Sequence, residues 1–375
     1  MRIGIDIRAL GSASGRRGVG TYIRGLISGL AETISETRAD VLLFSDRSGE
    51  GLPAPAPLKG IRLSRPRRAI TFWDQLAWPP LLARRRVTVF HSPFYAIPRM
   101  RPSRCSVVQT IHDLTPLKFQ GCVTPHNARI FRINFSLARS ADCIIVPSEA
   151  TRGDVETLLR IPADRITVIP EATDITPEDI SSAERGWPVV ADRLGIKRRF
   201  LLHTGGHDKV KNLPRLLDAF AALVRGGRDL SLVIVGAHTQ ETGAIIGRAA
   251  MQGLLDRVIL PGFVSRSDLV ALYRRTDALV YPSFAEGFGL PVLDAMACGA
   301  PVVTANTGAL PEVGGDACLY VDPADTQAIV SVVARVLDEP GLASDLSRRG
   351  RHRAAQFSWR ETARQTLAAY RKVAT

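Results

Sequence analysis

No run of eighteen consecutive apolar residues occurs in this chain, so no membrane-spanning helix is indicated. The opening residues, MRIGIDIRAL, do not read as a signal peptide, because the short apolar run is broken by Asp6 and Arg8. The five cysteines (Cys105, Cys122, Cys143, Cys298 and Cys318) include no CxxC pair. Their odd number and apolar neighbours predict buried thiols in a reducing cytoplasm, not metal ligands. No glycine-rich segment has GxGxxG spacing, which disfavours a nicotinamide oxidoreductase. No Asp-x-Asp pair occurs, so a divalent metal bridged by such a pair is not expected. There is no solenoid repeat and no low-complexity tail. What is present is globular in composition, 45% hydrophobic and 23% charged. At 375 residues it is too long for one ordinary core and suits two domains.

Acid is scarce in one place. The formal net charge is +13. Between Gly51 and His112 eleven basic residues stand against one acid, Asp74, a net +10. They are Lys59, Arg62, Arg65, Arg67, Arg68, Arg84, Arg85, Arg86, Arg99, Arg101 and Arg104. A charge run is usually a solvated face, but this bias predicts an anionic partner: lipid headgroups, a pyrophosphate-linked molecule or nucleic acid.

Apolar runs and helical periodicity alternate along the chain. Strands are predicted over 2–7, 41–45, 87–90, 107–111, 142–147 and 166–169, then over 199–203, 231–236, 258–263, 278–281 and 317–321. This order implies parallel, doubly wound α/β sheets. A helix over 71–86, interrupted at Pro79-Pro80, carries Trp73, Leu76 and Ala77 on one face; the core is its first reading and a membrane surface its second. Residues 170–188 lack periodicity and read as a linker. The expected division is 1–175, a linker at 176–197, and 198–356, with a closing amphipathic helix within 357–375 and Ser358 as its cap.

The chain is organised around residues 278–312, ALVYPSFAEGFGLPVLDAMACGAPVVTANTGALPE. The pattern is strand, loop, short helix, strand. Gly287 and Gly289 allow close backbone approach, Pro291 suits a helix start, and Gly299 stops the helix. Free N–H groups at the helix start make an anion site. Glu286 precedes the two glycines, where a solvated charge has little structural work; Asp294 reads as first-turn and could be only a dipole partner. Two similar units precede this one. Gly11–Gly20 follows the first strand, with Gly18 and Gly20 at the helix start and Arg16 and Arg17 beside them. Gly205 and Gly206 follow the strand at 199–203, with Lys211 at the next helix start, where a cation opposes the dipole and needs a reason. The strand at 107–111 closes on His112-Asp113, a polar pair where α/β sheets bind ligands.

Pro282-Ser283-x-x-Glu286-Gly-Phe-Gly-Leu-Pro-x-x-Asp294-Ala-x-Ala-x-Gly299-x-Pro301 resembles the donor-site signature of glycosyltransferase family 4, whose members are retaining enzymes with the GT-B fold: two Rossmann-like doubly wound domains facing a cleft. The resemblance covers nearly the whole chain and is densest after Phe200. It implies transfer of a sugar from a nucleoside diphosphate donor to a hydroxyl of a glycan or lipid-linked acceptor. The pattern is most like that of bacterial enzymes using GDP-mannose for surface polysaccharides. Catalytic roles then fall to His112, Lys211 and Glu286. Donor contacts fall to Gly18, Gly20, Gly205, Gly206, Gly287, Phe288, Gly289, Leu290 and Asp294, with Asp294 where the family carries a second glutamate for the ribose. Gly206 stands where many members place an arginine, for which Lys209 is a candidate substitute. Thr307-Gly308 belongs to a loop used near the donor phosphates, and the backbone near Pro261-Gly262 to one that holds the base. Glu171 stands where members often have a small polar residue, and no role is read for it. No cofactor or metal is expected, and the basic segment is assigned to an anionic membrane surface on the cytoplasmic side and not to nucleic acid. The alternatives are an epimerase of the same fold and a non-catalytic nucleotide-sugar binder.

Overall fold

The computed structural model describes residues 1–12, 15, 17–37, 39–46, 55–63, 70–94, 97–119, 122–239 and 241–374, without the side chains of 70–73 and 125. Arg16, Arg65, Arg67, Arg68, the side chain of Trp73 and most of the loop at 49–57 lie outside the described residues. The chain divides into two compact units, Met1–Asp174 with Phe357–Thr375, and Ile175–Gln356.

The first unit is built on seven strands: β1 (Arg2–Asp6), β2 (Asp40–Ser45), β3 (Lys59–Arg62), β4 (Val89–Ser92), β5 (Ser106–Thr110), β6 (Cys143–Val146) and β7 (Ile166–Val168). All pairs are parallel and the order is β3-β2-β1-β4-β5-β6-β7. Helices cover both faces, so the central strands read as continuous apolar runs: Ile3, Ile5, Val89, Val107 and Ile144 are all fully buried. The closing helix Trp359–Val373, capped by Ser358 accepting from the Glu361 N–H, packs on the helix Gly18–Thr33 of this unit. Glycines make that approach possible. A Cβ at Gly25 would lie 2.0 Å from the Trp359 ring, and one at Gly29 2.1 Å from the Trp359 carbonyl oxygen. His91 on β4 then ties the closing helix to the sheet, with Nδ1 2.6 Å from the Tyr370 hydroxyl.

The second unit carries β8 (Arg199–Thr204), β9 (Leu230–Val235), β10 (Val258–Gly262), β11 (Ala278–Tyr281), β12 (Val302–Ala305) and β13 (Leu319–Val321). It is again all parallel, in the order β10-β9-β8-β11-β12-β13. Strand order reverses between β1 and β4 in one sheet and between β8 and β11 in the other. At such switch points the loops leaving adjacent strands diverge to opposite faces and open a crevice at the carboxyl ends.

Four expectations are corrected. The segment expected as a linker, 176–197, is mostly the helix Pro177–Leu194. Thr176 and Asp179 form a capping box, Pro177 opens the helix, and Gly195 closes it in the left-handed conformation. Its face pairs with the helix Arg266–Arg275 through Arg193–Asp268 at 2.7 Å and Arg266–Asp179 at 3.2 Å. Pro188 inside it hid the periodicity. Pro79 and Pro80 do not interrupt their helix, which runs Ile70–Arg84. The strand β3 and the helices Thr242–Met251 and Leu342–Ala354 were not anticipated. Asp294 is not in a first turn: the helix begins at Leu290, so Asp294 is its fifth residue.

Candidate active site

The crevice between β8 and β11 gathers a lysine, a glutamate and two hydroxyls. From β8 the chain passes Gly205 (φ +124°), turns through Lys209–Lys211, and reaches Asn212 at φ +58° before the helix Leu213–Arg225. A residue with a side chain holds that left-handed position because its amide is fully used. Asn212 Nδ2 donates to the Pro282 carbonyl at 3.1 Å and the Pro323 carbonyl at 2.6 Å. It thereby clamps the loop after β8 to the loop after β11. The Phe284 N–H donating to the Val210 carbonyl at 2.9 Å adds a second tie.

The clamp brings Lys211 to Glu286. Lys211 Nζ lies 2.6 Å from Glu286 Oε1 and 2.8 Å from the Tyr281 hydroxyl. The Tyr281 hydroxyl donates to the same Oε1 at 2.9 Å, and Ser283 Oγ sits 2.6 Å from it. One carboxylate oxygen therefore takes three donors, while Oε2 has no hydrogen-bond partner among the described residues. The side chains are 18% and 14% exposed for Lys211 and Glu286, so the pair is mostly dry but reachable. Burial opposes the lysine's charge, yet the neighbouring Glu286 carboxylate more than offsets it and raises the Lys211 pKa. Burial and the same carboxylate raise the Tyr281 phenol, which stays a neutral donor. His203 at the end of β8 stacks on Tyr281 at 5.2 Å and is kept neutral, with its pKa pushed down to about 3 by burial.

The remaining donor-side expectations fall around this cluster. Gly289, at φ +113°, precedes the helix Leu290–Cys298, and a Cβ there would meet Leu310 at 2.9 Å. Phe288 is buried beside Gly287, and Leu290 is half-buried at the helix start. Asp294 is half-buried, and its charge adds to burial in raising the Tyr273 phenol, whose hydroxyl reaches Thr204 Oγ1 at 3.1 Å at the end of β8. Thr307 and Gly308 pack on the glutamate loop: Thr307 Oγ1 donates to the Ser283 carbonyl at 3.2 Å, and a Cβ on Gly308 would lie 3.0 Å from the Glu286 carbonyl oxygen. A Cβ at Gly206 would meet only the Asp208 carboxylate, 2.7 Å away. Lys209 is exposed and faces Glu241 at 3.8 Å, away from the Lys211 cluster. Tyr281, Ser283 and Asn212 were missed as site residues. The Pro282-Ser283 motif was the available signal for one of them.

In the first unit, Gly18 opens its helix with no side-chain cap from Arg17. Gly20 is a packing requirement, since a Cβ there would lie 2.0 Å from the Gly15 carbonyl oxygen. His112 follows β5, with Nδ1 2.8 Å from Glu171 Oε1 and Nε2 2.9 Å from the Pro93 carbonyl oxygen. Burial opposes its charge, but the hydrogen bond and charge of Glu171 outweigh it, and the His112 pKa is raised. Asp74, the one acid of the basic segment, is buried and bonded to the buried Arg8, which also holds Asp6. It therefore neutralises nothing at the surface. Arg62, Arg84, Arg85, Arg86, Arg99 and Arg104 are exposed. Among the described residues, no group of three His, Cys, Asp or Glu side chains is arranged to hold a metal ion. No helix of the described residues is long and apolar enough to cross a membrane.

Residues 192–353 match the family model for glycosyl transferases group 1, and residues 16–176 the model for glycosyltransferase family 4. The O-antigen chain mannosyltransferase B of Escherichia coli is 32% identical over 327 residues, covering 84% of this chain and 80% of that protein. The MMP alpha-(1->4)-mannosyltransferase of Mycolicibacterium hassiacum is 31% identical over 241 residues, covering 63% and 55%. Among solved structures, a sucrose-phosphate synthase of Thermosynechococcus elongatus superposes with a TM-score of 0.75 at 22% identity over 100% of this chain and 99% of that one. Anabaena HepE in complex with UDP and glucose does so with a TM-score of 0.73 at 19% identity over the full length of both. With two parallel Rossmann-like sheets and these matches across both units, the chain is a GT-B protein belonging to glycosyltransferase family 4.

Proposed function

We propose that the chain is a retaining hexosyltransferase that moves mannose from GDP-mannose to a hydroxyl of a glycan or lipid-linked acceptor without a metal. The observation that carries this reading is the half-saturated carboxylate of Glu286. Oε1 is fixed by Lys211, Tyr281 and Ser283, which leaves Oε2 to accept hydroxyls of the donor sugar. A carboxylate immobilised through one oxygen orients a ring at little entropic cost. Lys211 has a third N–H that no acceptor among the described residues takes; it is left for the diphosphate, whose departing charge it stabilises together with helix N-termini. In the reaction the bond from the anomeric carbon to the phosphate oxygen breaks and a bond to the acceptor oxygen forms on the same face. The acceptor proton passes to the leaving phosphate oxygen. Mannose as the sugar rests on the names of the relatives. The test is turnover of UDP-, GDP-, ADP- and dTDP-sugars with alkyl mannoside acceptors in EDTA, with the product anomer read by NMR. GDP release with an axial linkage supports the reading. An inverted product, or turnover only with added divalent metal, overturns it.

The same reading places the first unit on an anionic membrane surface at the cytoplasmic side. Support comes from the six exposed arginines described in the basic segment and from the helix Pro125–Ala138, which exposes Arg129, Ile130, Arg132 and Ile133. No acid occurs between Asp113 and Asp142. Binding to phosphatidylglycerol vesicles should be strong at low salt and fall steeply as salt rises. Binding indifferent to salt, or none, contradicts this placement.

A further inference from the structure

Two buried histidines of the first unit sit in opposite hydrogen-bonding surroundings. His91 lies between hydroxyls, Tyr370 at Nδ1 and Thr110 at Nε2, 2.6 and 2.8 Å away. A hydroxyl can donate or accept, so a neutral ring is satisfied at both nitrogens. His112 lies between oxygens of a different kind. The Pro93 carbonyl, 2.9 Å from Nε2, can only accept, so Nε2 carries a hydrogen. A neutral ring would then present a bare Nδ1 lone pair to Glu171 Oε1 at 2.8 Å. The contact is satisfied only if one more proton sits between them, and a carboxyl is a stronger acid than an imidazolium. His112 is thus a cation donating from both nitrogens.

The pair is enclosed. The side chains of His112 and Glu171 are 15% and 5% exposed, and among the described residues His112 is the one hydrogen-bond partner of the Glu171 carboxylate. The Tyr22 ring, from the helix Gly18–Thr33, meets the imidazole edge-on at 4.8 Å, with its own hydroxyl 3.1 Å from Thr110 Oγ1. The charged and titratable groups facing His112 are Glu171 beyond β7, Asp113 next in the chain, Tyr22, and the neutral His91 on β4.

We propose that Glu171 is a positioning residue of the transfer reaction, holding His112 as a donor-only imidazolium whose Nε2 hydrogen is offered to a substrate oxygen in place of Pro93. A histidine held in this way binds lone pairs and cannot serve as the base, which leaves proton removal to another group. The catalytic half of this inference rests on the function proposed above; the charge state of the pair does not.

The test is therefore made on the charge state first. Full-length protein labelled with nitrogen-15 at histidine is titrated, with His112→Gln assigning the resonance. In the wild type both ring nitrogens should remain protonated well above the pH of about 6.5 at which an ordinary histidine loses its proton. In Glu171→Gln, which keeps an acceptor and removes the charge, deprotonation should occur at or below that ordinary value. A wild-type His112 that is neutral at pH 7, or a Glu171→Gln ring that stays charged there, overturns the proposal. The wild-type titration decides even where a variant fails to fold. The second readout is the pH profile of kcat/KM on the donor that turns over. It should be flat through neutral pH in the wild type and should fall with one ionisation in Glu171→Gln, with Glu171→Asp restoring the flat profile. A uniform loss at every pH would make Glu171 structural and overturn the positioning role. Absence of turnover with every sugar nucleotide would sink the function while leaving the spectroscopic answer standing.

Discussion

Glu286 is held by one oxygen, and everything that holds it is itself held. Lys211 reaches it because Asn212 fixes the turn, and Tyr281 because His203 stacks beneath the ring. A buried ion pair of this kind adds little stability once desolvation is counted, so its value lies in geometry. Asn212 is the residue on which that geometry depends. Asn212→Ala loses two buried hydrogen bonds and leaves the β-carbon at φ +58° without the bonds that compensate for it. It should cost about 3–5 kcal/mol, from roughly 1–2 kcal/mol for each of the two orphaned carbonyls and about 1 kcal/mol of backbone strain. Asn212→Gly removes the strain but not the lost bonds and should cost less. Thermal or urea melts check the order; equal losses would mean the left-handed turn stores nothing.

At the level of elements, the helix Pro177–Leu194 shows where sequence reading worked and failed. Buried parallel strands were legible because both faces are apolar: β1, β5, β8 and β11 each read as a short hydrophobic run ending in polar or glycine residues. The edge strand β3, KGIR, has one buried neighbour and no such run. The helix Leu342–Ala354, LASDLSRRGRHRA, is polar around most of its surface, so its periodicity is faint. In Pro177–Leu194 the buried positions Ala183 and Val190 are a helical seven apart, but Pro188 between them argued for a loop. The capping box was the better signal. Thr176→Ala should destabilise the second unit by about 1 kcal/mol, readable as a lower urea midpoint. No change would indicate that this helix start frays without consequence. In the site, Glu286 and Lys211 were legible because charges beside glycines at helix starts have no bland use. Tyr281, Ser283 and Asn212 were not, because their roles depend on which loops β8 and β11 bring together.

At the scale of the whole molecule, histidines divide the pH response. His91 in the first unit and His203 in the second are buried neutral, each pushed down to about 3 by burial. Unfolded, each would protonate near 6.5, so below that pH the unfolded chain binds more protons and stability falls as pH falls. The slope approaches ~1.4 kcal/mol per pH unit for each, and it is readable between about pH 6.5 and 5, above the carboxylate range. His112 acts the other way. Its raised pKa contributes stability that is complete below the unfolded value and disappears as pH rises through the folded one. Urea unfolding across that window should show both units weakening towards acid; a flat profile would contradict neutral burial of His91 and His203.

The central claim is that Glu286 reads the donor sugar through Oε2, the oxygen with no hydrogen-bond partner among the described residues. The direct measurement is calorimetric titration of GDP-mannose and of GDP into the wild type and into Glu286→Gln, without metal. The account predicts that the wild type binds the sugar nucleotide tighter than the bare nucleotide. In the variant that preference should be lost by about tenfold or more, while GDP binding persists through Lys211 and the helix ends. A variant that keeps the full preference for GDP-mannose would contradict the account.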